Sequence, residues 1–135
     1  MSAQENKQVI RRLYEMVYQE TSRGNKISES KVREFVDDET LIQHFLASQE
    51  AFPYYWIEPE ELIAEGEMVA VRGWMRGKHL GPFMGHPPTG REIKVPVFIT
   101  YRIVGGKVVD HWMTFDSAIL FRQLGIPLPE EEAVL

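Results

Sequence analysis

The chain has 135 residues, of which 44% are hydrophobic and 26% are charged, and these proportions indicate one globular domain with a buried core. A domain of this length buries roughly two-thirds of the surface that its unfolded chain exposes. The formal net charge of −5 argues against nucleic acid as a partner, because phosphate binding needs a clustered basic surface. Since the chain contains no cysteine, disulfides, thiolate catalysis and thiolate metal sites are excluded.

The chain also lacks the sequence patterns of membrane insertion and secretion. No apolar run reaches the roughly 20 residues that a membrane span needs, so we expect no membrane partner. Residues 1–6 lack the apolar core of a signal peptide. We therefore expect a soluble protein with a cytoplasmic location.

Three stretches in the first part of the chain have helical spacing. In residues 8–18, apolar side chains recur every three or four positions, which predicts an amphipathic helix. Residues 30–36 predict a shorter helical piece. A longer helix is predicted for residues 38–52, and either Asp37 or Asp38 is a suitable N-cap for it.

The second part of the chain reads as strands separated by turns. The predicted strands are residues 55–64, 68–80, 91–104 and 107–115. A loop rich in proline and glycine, residues 81–90, connects the second strand to the third. Pro96 cannot donate to a ladder, which predicts a bulge or a sheet edge at this position. Gly105 and Gly106 predict a two-residue hairpin turn.

The end of the chain predicts one more helix and completes the domain. Asp116 caps residues 117–124, and Gly125 closes that helix. We assign residues 1–127 to a single domain and residues 128–135 to an acidic tail. Helices followed by a strand meander predict an α+β fold, in which a curved antiparallel sheet packs against the N-terminal helices around one pocket.

Three sequence blocks resemble a known family. They are residues 85–91 (GHPPTGR), 102–111 (RIVGGKVVDH) and 122–125 (RQLG). These blocks and their spacing resemble the SnoaL-like polyketide cyclases, which belong to the nuclear-transport-factor-two-like superfamily of cone-shaped α+β proteins. The resemblance implies that fold and a homodimer packed through the sheet. The superfamily includes cyclases, isomerases, hydrolases, dehydratases and binding proteins, so the fold alone does not define the activity.

The chain departs from this family at two positions that matter for catalysis. The aldol cyclases use an Asp and a His to move protons and need no metal or cofactor, so the resemblance implies that this chain uses none. The same resemblance places Met113 and Ile99 at those two positions. Neither side chain can carry a proton. The chain therefore looks like a family member without the cyclase dyad.

Strand alternation predicts which side chains face the pocket. One face of the last strand carries Val109, His111, Met113 and Phe115. The resemblance assigns this face to the pocket, because Met113 replaces the catalytic Asp. Ile99 and Tyr101 are expected to face inward from the neighbouring strand, and Asp110 is expected to point away.

Histidines are the remaining candidates for proton transfer. His111 is the first candidate base, because imidazole titrates near neutral pH; the alternative is a structural histidine at the end of a strand. His79 is the second candidate, and its alternative role is to anchor the loop of residues 81–90. His44 is expected at the pocket boundary. The spacing of the histidines does not match a metal site.

Aromatic side chains complete the predicted pocket. Tyr14, Trp74 and Tyr101 are expected to line it, mainly as bulk with one hydrogen bond each. The leading interpretation is a cofactor-independent enzyme that acts by proton transfer on a small apolar cyclic or polyketide-like compound, as a cyclase, isomerase or hydrolase does. The alternative is a non-catalytic binding protein for an apolar ligand, and Met113 and Ile99 favour it.

Overall fold

The structure is a computed structural model that describes residues 2–129. Most of the predicted acidic tail therefore lies outside the described residues. Within residues 2–129 the chain forms four helices and four strands. In chain order they are α1 (Ala3–Ser22), α2 (Glu29–Arg33), α3 (Glu39–Ala51), β1 (Trp56–Glu65), β2 (Met68–Lys78), β3 (Glu92–Val104), β4 (Lys107–Phe115) and α4 (Ser117–Leu124).

Side-chain caps set where the helices begin. Helix α1 starts five residues earlier than its apolar stripe predicts, because Ser2 and Glu5 form a capping box that satisfies free amides of its first turn. Asp38 caps α3 by accepting from the amide of Leu41, which decides between the two N-cap candidates. Asp116 caps α4 in the same way, as predicted.

The strands form one antiparallel meander in the order β1-β2-β3-β4. Gly105 and Gly106 adopt positive φ angles of 59° and 80°, so the predicted hairpin turn between β3 and β4 is confirmed. A bulge between Pro59 and Glu61 interrupts β1. The sheet is curved and the fold is α+β, which confirms the predicted fold class.

Pro96 was predicted to mark a bulge or a sheet edge. The β2–β3 register passes through Pro96 without a bulge, and the β3–β4 register begins only at Val97, so that Pro96 lies at a local edge on the β4 side. Its carbonyl oxygen accepts from the amide of Asp116, immediately after β4 has ended at Phe115. In an antiparallel strand the N and the C=O of one residue face the same side. The nitrogen of Pro96, which carries no hydrogen, therefore faces a side of β3 where no strand would accept a hydrogen bond from it. A proline is tolerated there.

The concave face of the sheet carries the core. Alternate residues of β3 from Ile93 to Ile103 are buried, and the intervening side chains face outward. Helix α1 packs on this face through Ile10, Leu13 and Val17, all nearly inaccessible to solvent. Helix α3 covers the part of the sheet that α1 leaves open, and a cavity remains between α3 and the strands. No helix within residues 2–129 has both the length and the apolar character that a membrane crossing requires.

Candidate functional site

The cavity between α3 and the concave face of the sheet consists of three adjoining spaces. The main chamber has a volume of about 250 Å³ and lies between α3, the sheet and α4. A deep recess of about 50 Å³ continues toward α1, and an open mouth of about 580 Å³ leads to solvent between α3 and β4. Ser48 and Met113 border all three spaces, so the spaces are continuous with one another.

The main chamber has an apolar wall. Its sides come from α3, from strands β2, β3 and β4, from the loop after β2, and from α4. The apolar side chains around it include Phe52, Met75, Phe83, Val97, Phe115 and Leu120. Such a wall favours an apolar ligand and excludes water from polar groups at its border.

Met113 and Ile99 are directly opposite each other on β4 and β3. Met113 borders all three spaces and is 42% exposed, since it faces the open side of the cavity. Ile99 is buried and borders the deep recess. At these two positions the wall of the cavity is therefore apolar.

A hydrogen-bonded acid–imidazole pair lies at the mouth. The Nδ1 atom of His111, on β4, is 2.6 Å from Oδ2 of Asp38, the N-cap of α3. The side chains are only 6% and 9% exposed. An ionised carboxylate can only accept, so Nδ1 of His111 carries the proton and Nε2 has the lone pair that can accept one. The carboxylate thereby sets both the tautomer and the orientation of the imidazole.

His44 is the second imidazole at the mouth. Its Nδ1 atom is 3.3 Å from Nε2 of His111, and the two rings are nearly perpendicular, at 88°. With Nδ1 of His111 protonated, Nδ1 of His44 is the donor in this contact. His44 is exposed and borders both the mouth and the deep recess.

The same corner brings together three groups that bind metals in other proteins. Ligand atoms of Asp38, Asp110 and His111 all lie within 4.8 Å of one another. The 2.6 Å contact uses Nδ1 of His111 as a hydrogen-bond donor, however, and a donor nitrogen has no lone pair for a cation. The Oδ1 atom of Asp110 accepts from the backbone amide of His111 at 2.8 Å. The geometry is that of a hydrogen-bonded dyad.

A bulge in β4 changes the predicted alternation. The register shifts between Arg102 and Ile103, so that Val108 faces the core and Val109 is exposed. The prediction that Val109 shares the face of His111 is therefore wrong. The bulge also brings the carboxylate of Asp110, which was expected to point away, to the backbone of His111.

Two phenols meet at the inner end of the cavity. The hydroxyl oxygens of Tyr14, on α1, and Tyr101, on β3, are 2.5 Å apart in the protein core. Tyr101 borders the deep recess, whereas Tyr14 lies behind it and is not among the residues around the three spaces. Burial raises the pKa of both phenols, so both are neutral at neutral pH.

The structure places Trp74 on the convex face of the sheet, opposite to the cavity. Its Nε1–H donates to a carboxylate oxygen of Glu60, and the ammonium of Lys94 lies 4.6 Å from the ring centroid. Its neighbours in the strand, Gly73 and Met75, face inward. The prediction that Trp74 lines the pocket is therefore wrong, because its parity along β2 is the opposite one.

His79 lies away from the cavity, in the anchor of the loop of residues 81–90. It is 0% exposed, and its Nδ1 atom accepts from the amide of Thr89 at 3.1 Å. The ring packs against Phe52 and Phe83. Burial lowers the pKa of the imidazole. His79 therefore anchors the loop, which was the alternative to its predicted role as a base. Because its ring does not border any of the three spaces, we do not assign it as a base.

Asp38 is the functional group that sequence reasoning missed. Its position before α3 identified it only as a cap, and the bond to His111 joins residues 73 positions apart. No local pattern reveals such a pair. The placement of α3 over β4 brings the two together.

Comparison with known proteins agrees with the fold. The family model for SnoaL-like polyketide cyclases matches residues 8–124. The nogalonic acid methyl ester cyclase of Streptomyces nogalater is 30% identical over 126 residues, which cover 83% of this chain and 92% of that protein. The aklanonic acid methyl ester cyclase DnrD of Streptomyces peucetius is 36% identical over 76 residues, which cover 56% of this chain and 52% of that protein.

A solved structure shows the same fold at lower identity. TsrD from Streptomyces laurentii superimposes with a TM-score of 0.77 and 17% identity, covering 94% of this chain and 99% of that one. The fold is α+β, with a curved antiparallel sheet and a cavity under α3, as in the SnoaL-like proteins. The chain belongs to the SnoaL-like polyketide cyclase family.

Proposed function

We propose that this protein is a cofactor-independent enzyme that moves a proton on an apolar, polyketide-like ring compound, in an isomerase- or cyclase-type reaction, with His111 as its base. The observation that carries the proposal is the 2.6 Å bond between Asp38 and His111 at the border of an apolar cavity. A histidine is most effective as a base when a carboxylate holds one nitrogen and the other nitrogen faces the substrate.

The proposed step begins with substrate in the main chamber and its acidic carbon at the mouth. The Nε2 atom of His111 accepts the carbon-bound proton, and the electron pair moves onto the conjugated carbonyl group of the substrate. Asp38 stabilises the imidazolium that forms, since its carboxylate already accepts from Nδ1. The imidazolium then returns the proton to the product, so that the enzyme ends in its starting state.

The family supports this class of chemistry. Two relatives are named as cyclases of methyl esters. In this chain the two positions that carry the cyclase dyad by resemblance are Met113 and Ile99, which cannot transfer protons. His111 and Met113 both border the mouth, and the pair that His111 forms with Asp38 supplies an acid–base group that those positions lack.

The non-catalytic alternative rests on a specific observation as well. The main chamber is lined almost wholly by carbon, and Met113 and Ile99 extend that apolar surface. A protein that only holds an apolar ligand needs such a wall and has no need of a dyad. In that case the Asp38–His111 bond serves only to attach α3 to β4.

Proton exchange on a simple ring ketone separates these two functions. The probe is 1-tetralone in D₂O, and NMR follows the loss of the protons next to its carbonyl group. We expect wild-type protein to accelerate exchange and His111→Ala to lower the rate by about 100-fold or more. His86→Ala is the matched control, because His86 lies in the loop outside the cavity and should keep the full rate. Binding of 1-tetralone without acceleration by the wild type would establish the non-catalytic alternative.

A further inference from the structure

The two hydroxyl groups at the inner end of the cavity have two protons between them, and only one of these forms the hydrogen bond that joins the pair. Tyr14 and Tyr101 have their oxygens 2.5 Å apart, and their rings meet at 73°. Each phenol has one O–H group, and a single hydrogen bond between them consumes one of the two protons. One O–H therefore remains as a free donor.

The surroundings of the two residues decide which hydroxyl keeps the free proton. Tyr101 borders the deep recess, although it is only 1% exposed to bulk solvent. Tyr14 lies behind Tyr101, between α1 and the sheet, and within residues 2–129 no second acceptor is found for its hydroxyl. If Tyr14 donates to the oxygen of Tyr101, the free O–H of Tyr101 faces the recess, where a ligand atom can accept it.

We propose that Tyr101 is the oxyanion donor of this cavity, which binds the carbonyl oxygen of an apolar ring ketone and stabilises the enolate that forms when the neighbouring carbon loses its proton. Tyr14 is a positioning residue that orients and polarises the Tyr101 hydroxyl. The catalytic half of this inference rests on the proposed function. The binding half, a phenolic donor for a ring oxygen, is independent of it.

The position of Tyr101 relative to His111 fits a reaction in which His111 accepts the proton from carbon and Tyr101 donates to the carbonyl oxygen. The two residues are paired directly across β3 and β4, and both face the concave side. Side chains in such a pair are neighbours, with Cβ atoms roughly 5 Å apart. His111 borders the mouth and Tyr101 borders the recess, and these two spaces share Met113 as part of their walls. One ring can therefore present its carbon to the first residue and its oxygen to the second.

The chemistry of the phenol also suits an oxyanion. When the carbon loses its proton to Nε2 of His111, the electron pair moves to the substrate oxygen, and Tyr101 donates a hydrogen bond to that oxygen while keeping its own proton. Burial raises the pKa of the Tyr101 phenol, so it keeps its proton and remains a donor at neutral pH. The bond from Tyr14 polarises the O–H of Tyr101 and strengthens its donation.

Binding of a matched pair of probes tests the donor without any turnover. 2-Naphthol and 2-methylnaphthalene have nearly the same shape, and they differ in a hydroxyl against a methyl group. We expect wild-type protein to prefer 2-naphthol by about tenfold, the value of one buried hydrogen bond. Tyr101→Phe should abolish this preference and leave the affinity for 2-methylnaphthalene unchanged, which also reports that the cavity is folded. Tyr14→Phe should reduce the preference to about threefold, and a threefold reduction in affinity for both probes alike would contradict its positioning role.

Two controls separate this inference from the proposed function. His111→Ala should keep the whole preference for 2-naphthol while it loses proton exchange on 1-tetralone. Tyr55→Phe is the matched control, because Tyr55 is another buried phenol at the recess and should keep the preference. Equal wild-type affinities for the two probes, or a preference that survives Tyr101→Phe or disappears in Tyr55→Phe, would overturn the assignment of Tyr101.

A second measurement needs no variant and covers the case in which Tyr101→Phe does not fold. The affinity of wild-type protein for 6-cyano-2-naphthol is measured as the pH is raised through the pKa of this probe. A donor site binds the oxyanion more tightly than the neutral hydroxyl, so we expect the affinity to rise. A fall in affinity would show that the recess rejects the oxyanion and would overturn the proposal.

Discussion

Asp38 and His111 are 73 positions apart in the chain and joined by a 2.6 Å hydrogen bond. The same carboxylate begins α3, because its other oxygen accepts the amide of Leu41 at 3.2 Å. One side chain thus both starts a helix and orients an imidazole. A change at this residue affects stability and chemistry together, and the two effects can be separated by the choice of substitution.

Asp38→Asn separates the two roles of this carboxylate. Asparagine is as good an N-cap as aspartate, so thermal unfolding should shift little. The amide does not stabilise an imidazolium, so the exchange rate on 1-tetralone should fall by about 100-fold. The two quantities are measured by thermal denaturation and by NMR exchange in D₂O. An unchanged rate would show that His111 works without the carboxylate.

Asp116→Ala is the matched control for the capping role. Asp116 caps α4 through the amide of Ile119 at 3.0 Å and has no histidine partner. Its loss should cost about 1 kcal/mol in the free energy of unfolding, while proton exchange stays at the wild-type rate. Asp38→Ala, in contrast, should lower both quantities. A full exchange rate in Asp38→Ala would contradict the dual role.

The buried imidazole of His79 predicts a pH dependence of stability. Burial lowers the pKa of this group below its value in the unfolded chain, so the unfolded state binds more protons as the pH falls. Stability is therefore complete above about pH 6.5, the unfolded value, and is lost as the pH falls toward the lower folded pKa.

His79→Asn tests this pH dependence, because its side-chain oxygen can replace Nδ1 as the acceptor for the Thr89 amide. Denaturant unfolding at several pH values between 7.5 and 5 measures the slope, which one histidine limits to about 1.4 kcal/mol per pH unit. We expect a smaller slope in His79→Asn than in the wild type. Equal slopes in the two proteins would show that another group causes the loss of stability at low pH.

The convex face of the sheet predicts how two copies associate. Phe98 and Trp112 are exposed on neighbouring strands of this face, and Ile63 adds a third exposed apolar side chain. The resemblance implies a homodimer packed through the sheet, and a patch of this kind is self-complementary about a two-fold axis. We expect sedimentation to show a dimer and Phe98→Asp to give a folded monomer. Leu128→Asp, an exposed apolar residue after α4, is the control that should remain dimeric. A monomeric wild type would refute this interface.

Local patterns allowed much of the fold to be predicted, because caps, glycines and apolar alternation act over a few residues. Asp116, Gly105 and Gly106 all have the roles that their positions indicate. Parity along a strand was less reliable. Because of the bulge in β4 opposite Ile103, Val108 faces inward where Val109 was expected to do so. No residue type in that stretch predicts a bulge.

The site was harder to predict than the fold, because its key contacts join distant parts of the chain. The hydrogen bonds Asp38–His111 and Tyr14–Tyr101 form only when α3 and α1 pack on the concave face of the sheet. Strand alternation together with the family resemblance placed Ile99 and Met113 on the inner face, and the structure pairs them across β3 and β4, where no bulge intervenes. The sequence could thus indicate which side chains face inward, but it could not indicate which of them touch.

Met113 is the position at which a single substitution tests whether an apolar ligand binds against this wall of the cavity. Its side chain borders the main chamber, the recess and the mouth, and it is 42% exposed. Met113→Asp puts a carboxylate into this wall, and an apolar ligand would then have to bury it without a partner. We expect the affinity for 2-methylnaphthalene to fall by roughly tenfold or more, whereas Met113→Leu should keep it. Because the residue is half open to solvent, thermal unfolding should change little in either variant. An unchanged affinity in Met113→Asp would show that the ligand does not bind in the cavity under α3.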